Sequence, residues 1–141
     1  MRVFISHAAQ DTALAIGLRD ELAKAGMAVW NPEDEIYPGD NWAKKTGEAL
    51  EHSEIMVALV TRHAVESGPL RNDVQFALTS GNYGGRVVPV LVDYPTFTAG
   101  TDVPWILLKL DPVLIESAQP DFQAIVGRVR DLAERDMHVA R

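Results

Sequence analysis

Ile55-Met56-Val57-Ala58-Leu59-Val60 is an unbroken apolar run near the middle of a 141-residue chain. A strand with one wet face alternates apolar and polar positions, and this run has no polar position. It reads as a strand covered on both faces, the condition of a parallel strand between two helical layers.

Moving upstream, Trp42, Thr46, Ala49 and Leu50 recur at helical spacing and predict the inner face of a helix. Asn31 to Asp40, with Pro32, Pro38 and Gly39, is too rich in turn formers for regular structure. A loop of that length in a compact domain usually carries function or moves. Met27-Ala28-Val29-Trp30 predicts a short strand, with both Trp30 and Trp42 read first as packing residues. From Thr12, the residues Leu14, Ala15, Leu18, Leu22 and Ala25 share one helical face, and Gly26 is the C-terminal cap. Val3-Phe4-Ile5 is the opening strand, and Ser6-His7-Ala8-Ala9-Gln10-Asp11 is a loop leading to a helix N-cap.

Downstream, Arg62 to Pro69 is expected to be loop. Leu70 to Leu78 is expected to be a short helix burying Leu70, Val74, Ala77 and Leu78, with Asp73 beside that apolar face. Gly81, Gly84 and Gly85 mark a turn before Val87-Val88-Pro89-Val90-Leu91-Val92, a strand whose proline suggests a place near the sheet edge. Asp93 to Asp102 reads as loop and Trp105 to Leu110 as a fifth apolar strand. Phe122, Ile125, Val126, Val129, Leu132 and Ala133 form the most regular helical stripe in the chain. Strands alternating with helices predict a doubly wound, flavodoxin-like α/β fold: five parallel strands with helices on both faces, in a single domain over residues 1–141. Ligands of such sheets bind beyond the carboxyl ends of the strands, where strand order reverses.

Composition narrows the function. A formal net charge of -7 argues against binding the nucleic-acid backbone, which rests on clustered Lys and Arg. With no cysteine, disulfides and thiolate metal sites are excluded, and a cytoplasmic location is the expectation. The opening residues turn polar after three apolar positions, so neither a signal-peptide core nor a membrane partner is expected. His52, His63 and His138 lack metal-ligand spacing, so no metal is expected. Neither a P-loop nor a G-x-G-x-x-G turn follows a strand. The ends Ile5-Ser6-His7 and Leu59-Val60-Thr61 lack the acidic residues of a phosphate-accepting receiver domain.

Three segments, in order and at matching spacing, carry a resemblance. Val3-Phe4-Ile5-Ser6-His7, Ile36-Tyr37-Pro38-Gly39-Asp40-Asn41-Trp42 and Ala49-Leu50-Glu51-His52-Ser53-Glu54-Ile55-Met56-Val57 are similar to the opening strand, BB loop and third-strand entry of bacterial TIR (Toll/interleukin-1 receptor) domains. The resemblance spans roughly Arg2 to Val92; beyond Asp93 it extends only to the order of strand and amphipathic helix.

What the resemblance implies is a domain that cleaves NAD⁺ to nicotinamide and linear or cyclic ADP-ribose in bacterial defence, with NAD⁺ as substrate and no cofactor. A carboxylate beside the ribose stabilises oxocarbenium character as nicotinamide departs. In the family that carboxylate is a glutamate following a serine and a tryptophan. Aligned on Ser67 and on Ala77-Leu78, its place is taken by Asp73, and Pro69 or Leu70 replaces the tryptophan. Glu66 is an alternative carboxylate. Ser6, His7, Tyr37, Gly39 and Trp42 are the implied substrate-binding positions. Ala8-Ala9 stand where basic residues sometimes follow in the family. Ile36, Tyr37, Pro38 and Gly39 would form the loop tip that contacts another TIR domain, with self-association in the active state. The competing reading is a non-catalytic scaffold, an adaptor or host-mimicking effector that assembles through the same loop.

Overall fold

The computed structural model describes residues 2–30, 37–66, 68–93 and 105–139. Five strands form one all-parallel sheet: β1 (Arg2–Ser6), β2 (Ala28–Trp30), β3 (Ile55–Val60), β4 (Val87–Val92) and β5 (Val113–Ile115), in the order β2-β1-β3-β4-β5. Strand order therefore reverses between β1 and β3. The helices are α1 (Thr12–Lys24), α2 (Trp42–His52), α3 (Arg62–Glu66), α4 (Gly68–Thr79), α5 (Trp105–Lys109) and α6 (Phe122–Val139), with a 3-10 turn at Ala9–Asp11.

β3 lies between β1 and β4, and all six of its residues are buried. Its apolar run is apolar because it meets two cores. Ile55, Val57 and Leu59 pack with Leu18 and Leu22 of α1 and with Ile125, Val126 and Val129 of α6. Met56, Ala58 and Val60 face the other way, toward Ala49 of α2 and Leu70, Val74 and Ala77 of α4. Removing a Leu or Ile side chain from water contributes roughly 1.5–3 kcal/mol, so a polar group introduced into this strand is costly on either face. Trp30 is a packing residue as expected, stacked on Phe4 with ring centroids 5.3 Å apart.

Capping fixes the element ends. Gly26 adopts φ 88°, its N–H bonds Ala23 O at 3.0 Å, and the Met27 N–H bonds Leu22 O at 3.0 Å. That is a left-handed C-terminal cap, and only glycine takes this φ without a Cβ penalty. Asn41 caps α2 through its side chain, which accepts from the Lys44 N–H at 3.1 Å. The carbonyls at the other end of α2 are met by residues after α4: Tyr83 donates its hydroxyl to Leu50 O at 2.6 Å and Asn82 its amide to Glu51 O at 2.8 Å.

Two expectations require correction. Trp105 to Leu110 is not the fifth strand: Trp105–Lys109 is helical, and the strand is Val113–Ile115, which pairs with β4 from Val90↔Val113 to Val92↔Ile115. Ile106, Leu107 and Leu110 pack into one core while Leu108 is exposed, a helical spacing, and the leucines and lysine are good helix formers. The segment expected to be loop from Arg62 to Pro69 holds α3, and α4 begins at Gly68 rather than Leu70. The Thr61 hydroxyl accepts from the Ala64 N–H at 3.1 Å, a side-chain bond at the first turn of α3.

Pro89 sits in the strand next to the β5 edge. Met56 N–H bonds Arg86 O, so Arg86 points toward β3, and Pro89, three residues on, points toward β5. Pairing with β5 begins only at Val90, so the missing N–H costs no ladder bond.

Candidate functional site

β1 alternates between the two cores. Val3 and Ile5 face α1 and α6; Phe4 faces α2 and α4, and so does Ser6 at the strand's carboxyl end. On α4, Leu70 and Val74 are buried against the same core, and Asp73 lies on the flank of that face, partly exposed. The two elements meet in one contact: Ser6 Oγ donates to Asp73 Oδ2 at 2.8 Å.

Burial raises the pKa of Asp73 above the usual carboxylate value, because the ion loses hydration. The Ser6 hydrogen bond and the adjacent His7 charge oppose that rise by favouring the anion. The Nδ1 of His7 is shut away from solvent without a hydrogen-bond partner among the described residues. The arrangement is a partly desolvated carboxylate, held by a hydroxyl on one oxygen and with a histidine beside it. It sits at the mouth of the sheet, where strand order reverses. Chemically, such a group can accept a proton or stabilise positive charge developing nearby.

A family model described as the TIR domain matches residues 3–126. The chain belongs to the TIR domain family. Solved structures agree in fold. The TIR domain of the Toll-related receptor TRR-2 from Hydra magnipapillata superposes with a TM-score of 0.66 at 20% identity, covering 96% of this chain and 97% of that one. A metazoan TIR-STING receptor from C. gigas, solved in complex with 2′,3′-cGAMP, gives a TM-score of 0.63 at 18% identity. That match covers 90% of this chain and 38% of the receptor chain. Among curated proteins no match was found.

Within this TIR domain the positions expected to bind substrate fall into three groups. Ser6, His7 and Asp73 are brought together. Tyr37 and Gly39 lie on a separate turn closed by its own bonds, Tyr37 N–H to Asp40 Oδ2 at 2.9 Å and Asp40 N–H to Tyr37 O at 3.0 Å. Gly39 has φ 94° and Tyr37 is 67% exposed, so the turn presents an aromatic ring to solvent. No hydrogen bond among the described residues ties this turn to Ser6, His7 or Asp73. Ile36 and Ser67, and the side chains of Trp42 and Glu66, lie outside the described residues.

Tyr83 was not among the residues singled out from sequence. It is wholly buried, edge-on to Phe76 with centroids 6.3 Å apart. Burial raises its pKa and the negative charge of Asp73 adds to the rise, so it is a neutral phenol at physiological pH. The only sequence signal was an aromatic inside a glycine-rich turn. No group of three or more His, Asp or Glu side chains that could hold a metal occurs among the described residues. No described helix is long and apolar enough to cross a membrane.

Proposed function

We propose that this TIR domain cleaves the bond between nicotinamide and ribose in NAD⁺, with Asp73 as the catalytic carboxylate. The supporting observation is the Ser6–Asp73 hydrogen bond, which keeps a partly buried carboxylate at the carboxyl end of β1 rather than free in solvent. As the glycosidic bond breaks, its electron pair leaves with nicotinamide, which departs neutral. Positive character develops at the ribose carbon and Asp73 stabilises it electrostatically. Water then attacks that carbon and releases its proton, giving ADP-ribose; attack by a second nucleophile within the same molecule would give a cyclic product. The cationic leaving group needs no protonation, so one carboxylate and accurate placement suffice. Ser6 and His7 line the site, and Tyr37, Gly39 and Trp42 are the further positions assigned to substrate binding in this reading. A cytoplasmic role in bacterial defence signalling fits this chemistry.

A second reading is favoured by the exposure of Tyr37. An aromatic ring on a turn fixed by Asp40 is suited to contact another TIR domain, and the protein would then act as an assembly module with or without turnover. Nicotinamide release from NAD⁺ by purified protein over a range of protein concentrations separates the readings. Release that Asp73→Ala abolishes supports the enzyme; none at any concentration leaves the scaffold. Release lost with Glu66→Ala alone transfers the catalytic role to that acid.

A further inference from the structure

On the other face of the sheet from Asp73, the carboxyl ends of β3, β4 and β5 and the N-terminal parts of α1 and α6 line an open cleft of about 620 Å³. Its walls are built rather than incidental. The Thr61 hydroxyl donates to Asp11 Oδ2, joining the loop after β1 to the end of β3. Asp93, in the left-handed region at φ 59°, accepts from the Ser117 N–H at 2.9 Å and the Ser117 hydroxyl at 2.6 Å, joining the ends of β4 and β5. Three strand ends and the loop after β1 are thus tied in pairs around one opening.

The chemistry of the lining is divided. On one side Arg62 and His63 are exposed, and Arg62 makes no ion pair with any described residue. On another, Leu14 and Phe122 give an apolar wall. The Phe122 ring lies over Gly17 of α1, so closely that a Cβ there would come within 3.0 Å of it. Glycine at 17 is what lets the ring lie back against α1. Asp11 uses one carboxylate oxygen for Thr61 and keeps the other free as an acceptor.

A flat ring fits the apolar wall, a sugar hydroxyl can donate to the free oxygen of Asp11, and a phosphate matches the guanidinium of Arg62. One guanidinium stands against two carboxylates, so the walls tolerate one phosphate and disfavour a chain of them. We infer that this cleft is a second ligand site, binding a ribonucleoside monophosphate independently of the Asp73 site.

The test is titration of the full chain with AMP, followed by calorimetry and by amide NMR shifts. Saturable binding is expected, with the largest shifts at Ser117 and Phe122. Arg62→Ala should weaken it at least tenfold. Asp11→Asn should weaken it severalfold, because the asparagine oxygen still accepts from Thr61 while the free acceptor becomes a donor. Adenosine, inorganic phosphate and ATP should each bind more weakly than AMP, and Asp73→Asn should leave AMP binding unchanged. The inference is overturned if AMP does not saturate, if ATP binds more tightly, or if Arg62→Ala and Asp11→Asn bind as wild type does. Loss of AMP binding in Asp73→Asn would assign the nucleotide to the first site instead. Absence of NAD⁺ cleavage leaves the inference standing, because it uses none of the Asp73 machinery.

Discussion

Ser6 and Asp73, 67 positions apart in sequence, are joined by a 2.8 Å hydrogen bond between the end of β1 and the inner flank of α4. The bond has two effects that oppose each other. It fixes a short carboxylate in place, and it partly offsets the desolvation that raises the pKa of that carboxylate.

Replacing Ser6 with alanine removes the larger of the two influences that favour the anion, leaving only the charge of His7. The pKa of Asp73 should rise further, and the acidic limb of the rate-pH profile for nicotinamide release should move to higher pH. The rate above that limb should fall by on the order of tenfold from lost positioning. Ser6→Thr, which keeps the hydroxyl, should restore most of both. An unshifted acidic limb in Ser6→Ala would show that the bond does not govern the ionisation.

The stability of the fold should carry the same signature with a defined sign. A carboxyl whose pKa is raised by folding adds stability below its unfolded pKa and loses that stability as pH rises through the folded value. Wild type therefore bears a cost at neutral pH that Asp73→Asn does not, and the asparagine oxygen can still accept from Ser6. The melting temperature of Asp73→Asn should equal or exceed that of wild type at pH 7, and its advantage should vanish in acid. An advantage that grew on acidification would reverse the assignment.

Much of the fold was legible because hydrophobic patterning and burial coincide. Ile55 to Val60 is apolar throughout and buried throughout, and Leu18, Leu22, Ile125 and Val129 are the inward faces of their helices. Trp105 to Leu110 departs from its sequence expectation for a physical reason: a short apolar run suits a strand or a helical turn equally, and the pairing of Val113–Ile115 with β4 decides which segment joins the sheet. Asp73 could be placed beside an apolar face from spacing alone. Its bond to Ser6 could not, since that depends on how α4 packs across β1. Tyr83 was invisible for the same reason, its partner being a carbonyl at the end of a distant helix.

That partner makes Tyr83→Phe a clean probe of packing. The substitution keeps the ring and leaves the Leu50 carbonyl without its donor. A loss of about 1–2 kcal/mol is expected, read as a lower melting temperature or denaturation midpoint. Unchanged stability would mean that the 2.6 Å bond makes no net contribution.

Leu59→Ala tests the central strand. Leu59 is wholly buried in the core shared with α1 and α6, and its truncation should cost about 2–5 kcal/mol in chemical denaturation. A cost under about 1 kcal/mol would show a site able to collapse around the missing atoms.

Asp73→Glu asks whether reach limits the enzyme. The added methylene restores the length of the family's glutamate, and nicotinamide release should rise severalfold over wild type. A fall would mean that Ser6 and the strand end are spaced for aspartate.

The most direct measurement is nicotinamide release from NAD⁺ by wild type and Asp73→Asn, side by side at matched high protein concentration. The account predicts release by wild type and a loss of at least about a hundredfold in the variant, with its melting temperature at pH 7 undiminished. Release by Asp73→Asn at a rate close to that of wild type would contradict it.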